Sequence, residues 1–229
     1  MIEFLFLDLD DTILDFQMAE RIALRKTLET FGIPPTEEVC ALYHRINKAH
    51  WQMLERGEIT RDQVQLGRYA VLLQQLGVDA DAAQVNAAYM ENLSQGHYFL
   101  PGAEAAVIAL SKKYKLYLAS NGTASVQAGR LQSANISRWF EDIFISQEIG
   151  ANKPDTTFFD RAFARIPGFD KSRAMIVGDS LTSDILGGIN AGIATCWVNP
   201  AHKSTRTDIR PDYEIENLTR LEALLVTLH

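Results

Sequence analysis

Two short apolar runs in this chain end in paired acids. "FLFLDLDD" carries Asp8 and Asp10 just beyond Phe4–Leu7, and "AMIVGDSLTSD" carries Asp179 and Asp184 beyond Met175–Val177. In extended chain, residues i and i+2 point the same way, so Asp8 and Asp10 can project together. Taken alone, such a pair is equally two solvated carboxylates in a loop. A second pair at the end of another apolar run changes that reading. Carboxylates about 4 Å apart repel by one to several kcal/mol, depending on the effective dielectric. A divalent cation turns the repulsion into attraction. A few hard oxygen ligands with no Cys or His nearby select Mg2+ over Zn2+.

Anion-binding groups accompany the acids. "LYLASNGT" ends an apolar run in Ser120, and Asn121 and Gly122 turn the chain toward a helix. A hydroxyl with free backbone N–H groups at a helix start can hold an anion. In "GANKPD", Lys153 precedes Pro154, a residue suited to the first helical position. Each piece alone reads as a plain turn or a surface lysine. Together they supply a carboxylate nucleophile, a second carboxylate, a metal site, and hydroxyl, amide and ammonium donors for an anion. That is the equipment for phosphoryl transfer through an acyl-phosphate.

Elements that would position these groups follow from periodicity. Apolar runs at Glu3–Leu7, Leu116–Ala119, Ile143–Ile145, Ala174–Val177 and Ala194–Val198 are mostly continuous. Such runs suit parallel strands covered on both faces. Phe159, Ala162, Phe163 and Ile166 recur at helical spacing. Alternating strands and helices predict an α/β fold, a doubly wound, Rossmann-like parallel sheet. Between Asp8 and Ser120 lies far more chain than the ~30 residues of a strand–helix–strand unit. That stretch is helical in pattern, with Leu42, Ile46, Ala49 and Met53 marking one apolar face, and Val64, Tyr69, Leu72, Leu73 and Leu76 another. Pro34–Pro35 and Gly77 break it, and Gly96–Ala103 reads as its return hinge. The expectation is a core formed by residues 1–15 and 98–229, with an inserted all-α cap at 16–97.

Composition narrows the classes further. The chain has 229 residues, 47% of them hydrophobic, with two cysteines and a formal net charge of −7. That is enough apolar material for a sizeable core, too few cysteines for a disulfide framework, and no basic face for nucleic acid. No run approaches the ~20 apolar residues of a membrane span, and the start lacks the basic region of a signal peptide. The expectation is a cytoplasmic protein, monomeric or homodimeric, acting on a small molecule.

The four pieces, in this order and spacing, resemble the motifs of the haloacid dehalogenase superfamily. Asp8-Leu9-Asp10-Asp11-Thr12 resembles the first, Ser120 the second, Lys153 the third, and Gly178-Asp179 with Asp184 the fourth. The resemblance implies Asp8 as nucleophile and Asp10 as general acid/base, its backbone carbonyl also contacting metal. It implies that Asp8, Asp10 and Asp179 hold Mg2+, with Asp184 ligating or supporting. Ser120, Asn121 and Lys153 would hold the phosphoryl group. Asp11 would be a turn residue at the margin and Asp15 part of the linker. The segments "GDSLTSDILGGINAGIATCW", "GANKPD" and "INKAHW" are similar to those of bacterial pyrimidine 5′-nucleotidases. Those enzymes dephosphorylate nucleoside monophosphates such as UMP, dUMP and dTMP.

Substrate choice is expected in the cap. His44, Asn47, Lys48 and Trp51 fall at i, i+3, i+4 and i+7, opposite Ile46, Ala49 and Met53. Trp51 could stack a base while Asn47 or Lys48 reaches polar edges; equally, Trp51 could pack the helices and the others be solvated. Tyr69, Tyr89 and Asn92 read as structural, and His97 and Phe99 flank the hinge. A phosphatase for a sugar phosphate or another small phosphomonoester is the nearest alternative. A mutase is disfavoured by Asp11, a dehalogenase by Asp10, and a non-catalytic phosphate-binding module by the completeness of the motifs.

Overall fold

The computed structural model describes residues 1–203 and 208–228. They form two compact units, one from residues Met1–Phe16 and His97–His229, the other from Gln17–Gly96. Among the described residues, no helix is long and apolar enough to cross a membrane.

The first unit is built on a six-stranded sheet, all of whose pairings are parallel. Its strands are β1 (Phe4–Leu7), β2 (Lys115–Ser120), β3 (Asp142–Ile145), β4 (Ala174–Gly178), β5 (Ala194–Val198) and β6 (Tyr213–Ile215), in the order β3-β2-β1-β4-β5-β6. The run "FLFL" explains why β1 sits inside. Leu5 and Leu7 enter one core with Val107, Leu110 and Leu225, while Phe4 and Phe6 enter the other with Tyr117, Phe159 and Phe163. Alternate side chains therefore serve opposite faces, both dry. Each such side chain contributes about 1.5–3 kcal/mol by leaving water. β1 pairs with β2 on one side and β4 on the other, with Leu7 level with both Leu118 and Val177. The carboxyl ends of these three strands are thus adjacent at the point where strand order reverses, the usual place for a ligand in such sheets.

β6 is absent from the sequence-based expectation. It has only three residues, one of them buried, and pairs on one side alone. An edge strand this short leaves no periodic trace.

The second unit holds helices α1 (Phe16–Thr30), α2 (Glu37–Glu55), α3 (Arg61–Leu76) and α4 (Ala82–Ser94), α1 beginning on the last residue of the first unit. Caps mark the boundaries. Thr36 starts α2, Thr60 and Gln63 form a reciprocal capping box on α3, and Gly77 ends α3 in the left-handed region. The face of α2 differs from the expected one. Cys40, Tyr43, Ile46 and Asn47 are buried, whereas Ala49 is exposed and Leu42 and Met53 only half-buried. The cause is a polar interior. Arg68 of α3 donates to Asn47 (3.0 Å) and Asn86 (3.1 Å), and its guanidinium lies over Tyr89, Tyr69 and Tyr43 at 4.8, 5.1 and 6.0 Å. A buried cation needs such company, and α2 brings Asn47 inward to supply part of it.

Where the chain leaves and rejoins the sheet unit, two short segments pair. The N–H of Asp15 donates to Tyr98 O (2.7 Å), that of Leu100 to Ile13 O (3.0 Å), and Leu14 and Phe99 form an antiparallel bridge.

Candidate active site

Asp8 follows β1 directly and is buried, its N–H donating to Val177 O at 2.9 Å. Ser120, on the neighbouring strand, is also buried. Its Oγ accepts from the Gly122 N–H (3.0 Å) and the Gln127 amide (2.8 Å), so the hydroxyl keeps its own proton to donate.

Lys153 arrives on the loop after α7 (Ser146–Ile149), with 1% of its side chain exposed. Its Nζ donates to Asp8 Oδ1 (2.8 Å), to Asp184 Oδ1 (2.6 Å) and to the Ala119 carbonyl. Asn121 fixes this loop: its Oδ1 accepts from Lys153 N (2.9 Å), and its Nδ2 donates to Lys153 O (2.8 Å) and Ser183 Oγ (3.1 Å). The Asn121 side chain thus holds the lysine in place. Pro154 does not open a helix. The Lys153–Pro154 bond is cis, and α8 (Thr156–Phe163) starts later, capped by Asp155.

Asp179 and Asp184 follow β4. Ser180 caps a wide turn in which Ile185 N donates to Ser180 O, i to i+5, before α9 (Leu186–Ala191) begins. Turns of this width often occur at functional sites. Asp184 lies back against the strand with Oδ2 accepting from Ser180 N at 3.1 Å. Gly178 makes this possible, because a Cβ there would lie 2.2 Å from Asp184 Oδ2. The Trp197 indole donates to the Asp179 carbonyl at 2.8 Å and steadies that turn.

Asp8, Asp179 and Asp184 each offer a carboxylate oxygen, all within 4.8 Å of one another. Burial pushes the Asp8 carboxyl up to about 8; Lys153 pulls it down, while Asp184 and Asp10 push it up. Asp179 is raised well above the ordinary carboxylate range by burial, then by Asp184 and Asp8. One ammonium does not neutralise three carboxylates. The shortfall of positive charge, with oxygen as the only donor type, fits a hard divalent cation.

Asp10 is placed apart from this cluster. Its Oδ2 accepts from Gln127 Nε2 (2.7 Å), and its Oδ1 pairs with Arg130 Nη1. Both oxygens of its carboxylate are thus engaged by α6, away from the Asp8, Asp179 and Asp184 cluster. Asp11 has a left-handed backbone (φ 55°), and its Oδ1 accepts from Phe16 N at 2.9 Å. Gln127 and Arg130, on α6 (Ala124–Ala134), were not anticipated. The available signal is a polar pair at i, i+3 within the apolar stripe Val126, Leu131 and Ala134.

In the helical unit, Asn47 is buried, donating to Glu20 Oε1 (2.7 Å) and accepting from Arg68. Both ends of its amide are therefore used within the unit. His44 pairs with Glu20 Oε2 at 2.9 Å, Lys48 is exposed, and Trp51 is half-buried with the Arg61 guanidinium 5.6 Å over its ring. Tyr69 and Tyr89 are buried and Asn92 donates to Thr27, as structural residues would; His97 is exposed.

Comparison with known proteins agrees with this geometry. Pyrimidine 5′-nucleotidase PynA of Streptococcus pneumoniae is 36% identical over 93% of this chain and 90% of that protein. Pyrimidine 5′-nucleotidase YjjG of Escherichia coli is 33% identical over 97% of each. The crystal structure of HAD-hydrolase YfnB from Bacillus subtilis, bound to magnesium and revealing interdomain movement in that protein, matches with a TM-score of 0.94, 41% identity and 98% coverage of each chain. The model of the haloacid dehalogenase-like hydrolases matches residues 5–198, spanning every group described above from Asp8 to Trp197. With Asp8, Ser120, Lys153 and Asp179 meeting at the carboxyl edge of one parallel sheet, the chain belongs to the haloacid dehalogenase-like hydrolase family.

Proposed function

We propose that the protein is a Mg2+-dependent phosphomonoesterase acting through an aspartyl-phosphate, and that its substrates are pyrimidine nucleoside monophosphates. The observation that carries the chemistry is the Lys153 ammonium seated between Asp8 and Asp184, with Ser120 beside them. Asp8, Asp179 and Asp184 are the carboxylates that would hold the cation, and the Asp10 main-chain carbonyl would join them. When bound, Mg2+ offsets negative charge on the nucleophile and the phosphoryl oxygens.

The chain's own residues divide the remaining work. Lys153 fixes Asp8 Oδ1, leaving the other oxygen to attack phosphorus. The Ser120 hydroxyl and the Asn121 main-chain N–H take the phosphoryl oxygens, and Lys153 shares their charge. Asp10 protonates the departing 5′-oxygen, then removes a proton from the water that hydrolyses the aspartyl-phosphate. The nucleotide reading is supported by likeness to PynA and YjjG over more than nine-tenths of the chain, helical unit included. Exposed Lys48 and half-buried Trp51 remain the α2 residues suited to meet a substrate; Asn47 does not.

Asp8→Asn is nearly isosteric and should abolish turnover without lowering the melting temperature. The wild-type protein with Mg2+ should hydrolyse UMP, dUMP and dTMP faster than sugar phosphates. Full activity in a folded Asp8→Asn protein would remove the nucleophile, and a clear preference for sugar phosphates would replace the nucleotidase reading with that of a sugar phosphatase.

A further inference from the structure

Arg130 is the largest fully buried side chain among the described residues, with none of it exposed. It carries charge and packs among apolar residues of α6, which makes it a costly choice for core filling. Its surroundings account for it. Nη1 pairs with Asp10 Oδ1 and donates to Gln127 Oε1 at 3.1 Å, and the guanidinium lies 5.6 Å over the Phe16 ring. Gln127, 1% exposed, uses its Nε2 on both Asp10 Oδ2 (2.7 Å) and Ser120 Oγ (2.8 Å). The loop after β2 is shaped around this amide: a Cβ on Gly122 would lie 2.2 Å from Gln127 Nε2.

Each oxygen of Asp10 thus accepts one fixed hydrogen bond, and the two donors come from one rigid helix face. Their separation sets the plane of the carboxylate. An ionised carboxylate has about four lone-pair sites, so each oxygen retains one with which to accept another proton. We propose that Gln127 and Arg130 are positioning residues that hold Asp10 for its role as general base. The inference rests on the reading of Asp10 given above. In the step concerned, water forms a bond to phosphorus, the bond from phosphorus to the Asp8 oxygen breaks, and the water proton passes to Asp10. Through its shared amide, Gln127 also ties the placement of this base to the hydroxyl that holds the phosphoryl group.

The test is a cycle of Arg130→Met, Gln127→Leu and Asp10→Asn, assayed with p-nitrophenyl phosphate, whose leaving group needs no proton. Misplacement by about 1 Å can cost ~100-fold, so each positioning variant should lower kcat by ~10–100-fold and KM along with it, leaving kcat/KM within ~3-fold of wild type. Because formation of the aspartyl-phosphate is spared, rapid mixing should show a burst of nitrophenol approaching one per site. Arg130→Lys should recover part of the loss. In the Asp10→Asn background, neither variant should cost anything more. Should Arg130→Met fail to fold, Gln127→Leu and its Asp10→Asn double variant carry the same comparison. Unchanged kcat in the folded single variants, or an undiminished loss without Asp10, overturns the positioning role alone. Wild-type kcat in Asp10→Asn overturns the base reading and this inference with it.

Discussion

Removing the Lys153 ammonium should expose the electrostatic cost on which the site is built. In Lys153→Met the side chain keeps its length and loses its charge. The lost partners are Asp8 Oδ1 at 2.8 Å and Asp184 Oδ1 at 2.6 Å, with 1% of the lysine side chain exposed. Breaking one buried ion pair from one side costs about 3–5 kcal/mol, because the remaining charge is left uncompensated. Here two carboxylates lose their cation at once, with Asp179 close by. For a chain of this size, 1 kcal/mol moves the melting temperature by about 2–4 °C. The variant should therefore melt about 6–20 °C lower in EDTA, measured by scanning calorimetry. Mg2+ should restore more in the variant than in the wild type, since a ligand at ~100 times its Kd adds about 2.7 kcal/mol and the variant's site is the more negative. Equal melting temperatures in EDTA would refute the claim that Lys153 offsets the repulsion. An equal Mg2+ increment in both proteins would refute the claim that lysine and cation answer the same excess charge.

Two other predictions concern packing and pH. Gly178→Ala would place a Cβ 2.2 Å from Asp184 Oδ2, so the carboxylate must move away from Ser180 N and Lys153. A loss of about 1–3 kcal/mol in stability and weaker Mg2+ binding by titration calorimetry are expected; wild-type values for both would show that Asp184 need not lie against the strand. In the helical unit, the hydrogen bond to Glu20 raises the His44 imidazole above its ordinary value. The proton is thus bound more tightly in the folded state, so the stabilisation is complete below the unfolded value of about 6.5 and fades as pH rises through the higher folded value. His44 is 41% exposed, which limits the effect to less than about 1 kcal/mol. Glu20→Gln should abolish this loss between slightly acidic and slightly alkaline pH, and an unchanged pH profile of melting would exclude the pair as its source.

The acidic residues at strand ends are legible in the sequence, and those that hold them are not. Asp8 and Asp179 are announced by the apolar runs before them, because a buried parallel strand must surface at its carboxyl end. The long helical stretch after β1 is equally plain, and its breaks at Pro34–Pro35 and Gly77 fall between α1 and α2 and at the end of α3. Gln127, Arg130 and Trp197 escape, as does the hold of Asn121 on Lys153, because the partners are distant in sequence: Arg130 reaches Asp10 across 120 residues, and Asn121 reaches Lys153 across 32. No local period encodes such a pairing. The shifted buried face of α2 has the same origin. Ile46, Ala49 and Met53 form an apolar stripe, yet the buried Arg68 requires Asn47, and a charge in the interior outweighs an exposed alanine.

The pairing of Ile13–Asp15 with Tyr98–Leu100 makes the helical unit detachable in principle. Antiparallel neighbours of this kind can be joined by a two-residue turn. Chain can therefore be inserted, exchanged or shortened at this junction without rethreading the sheet or shifting the register that places Asp8. Selection can therefore replace or reshape this module while the sheet edge that carries Asp8 is inherited intact.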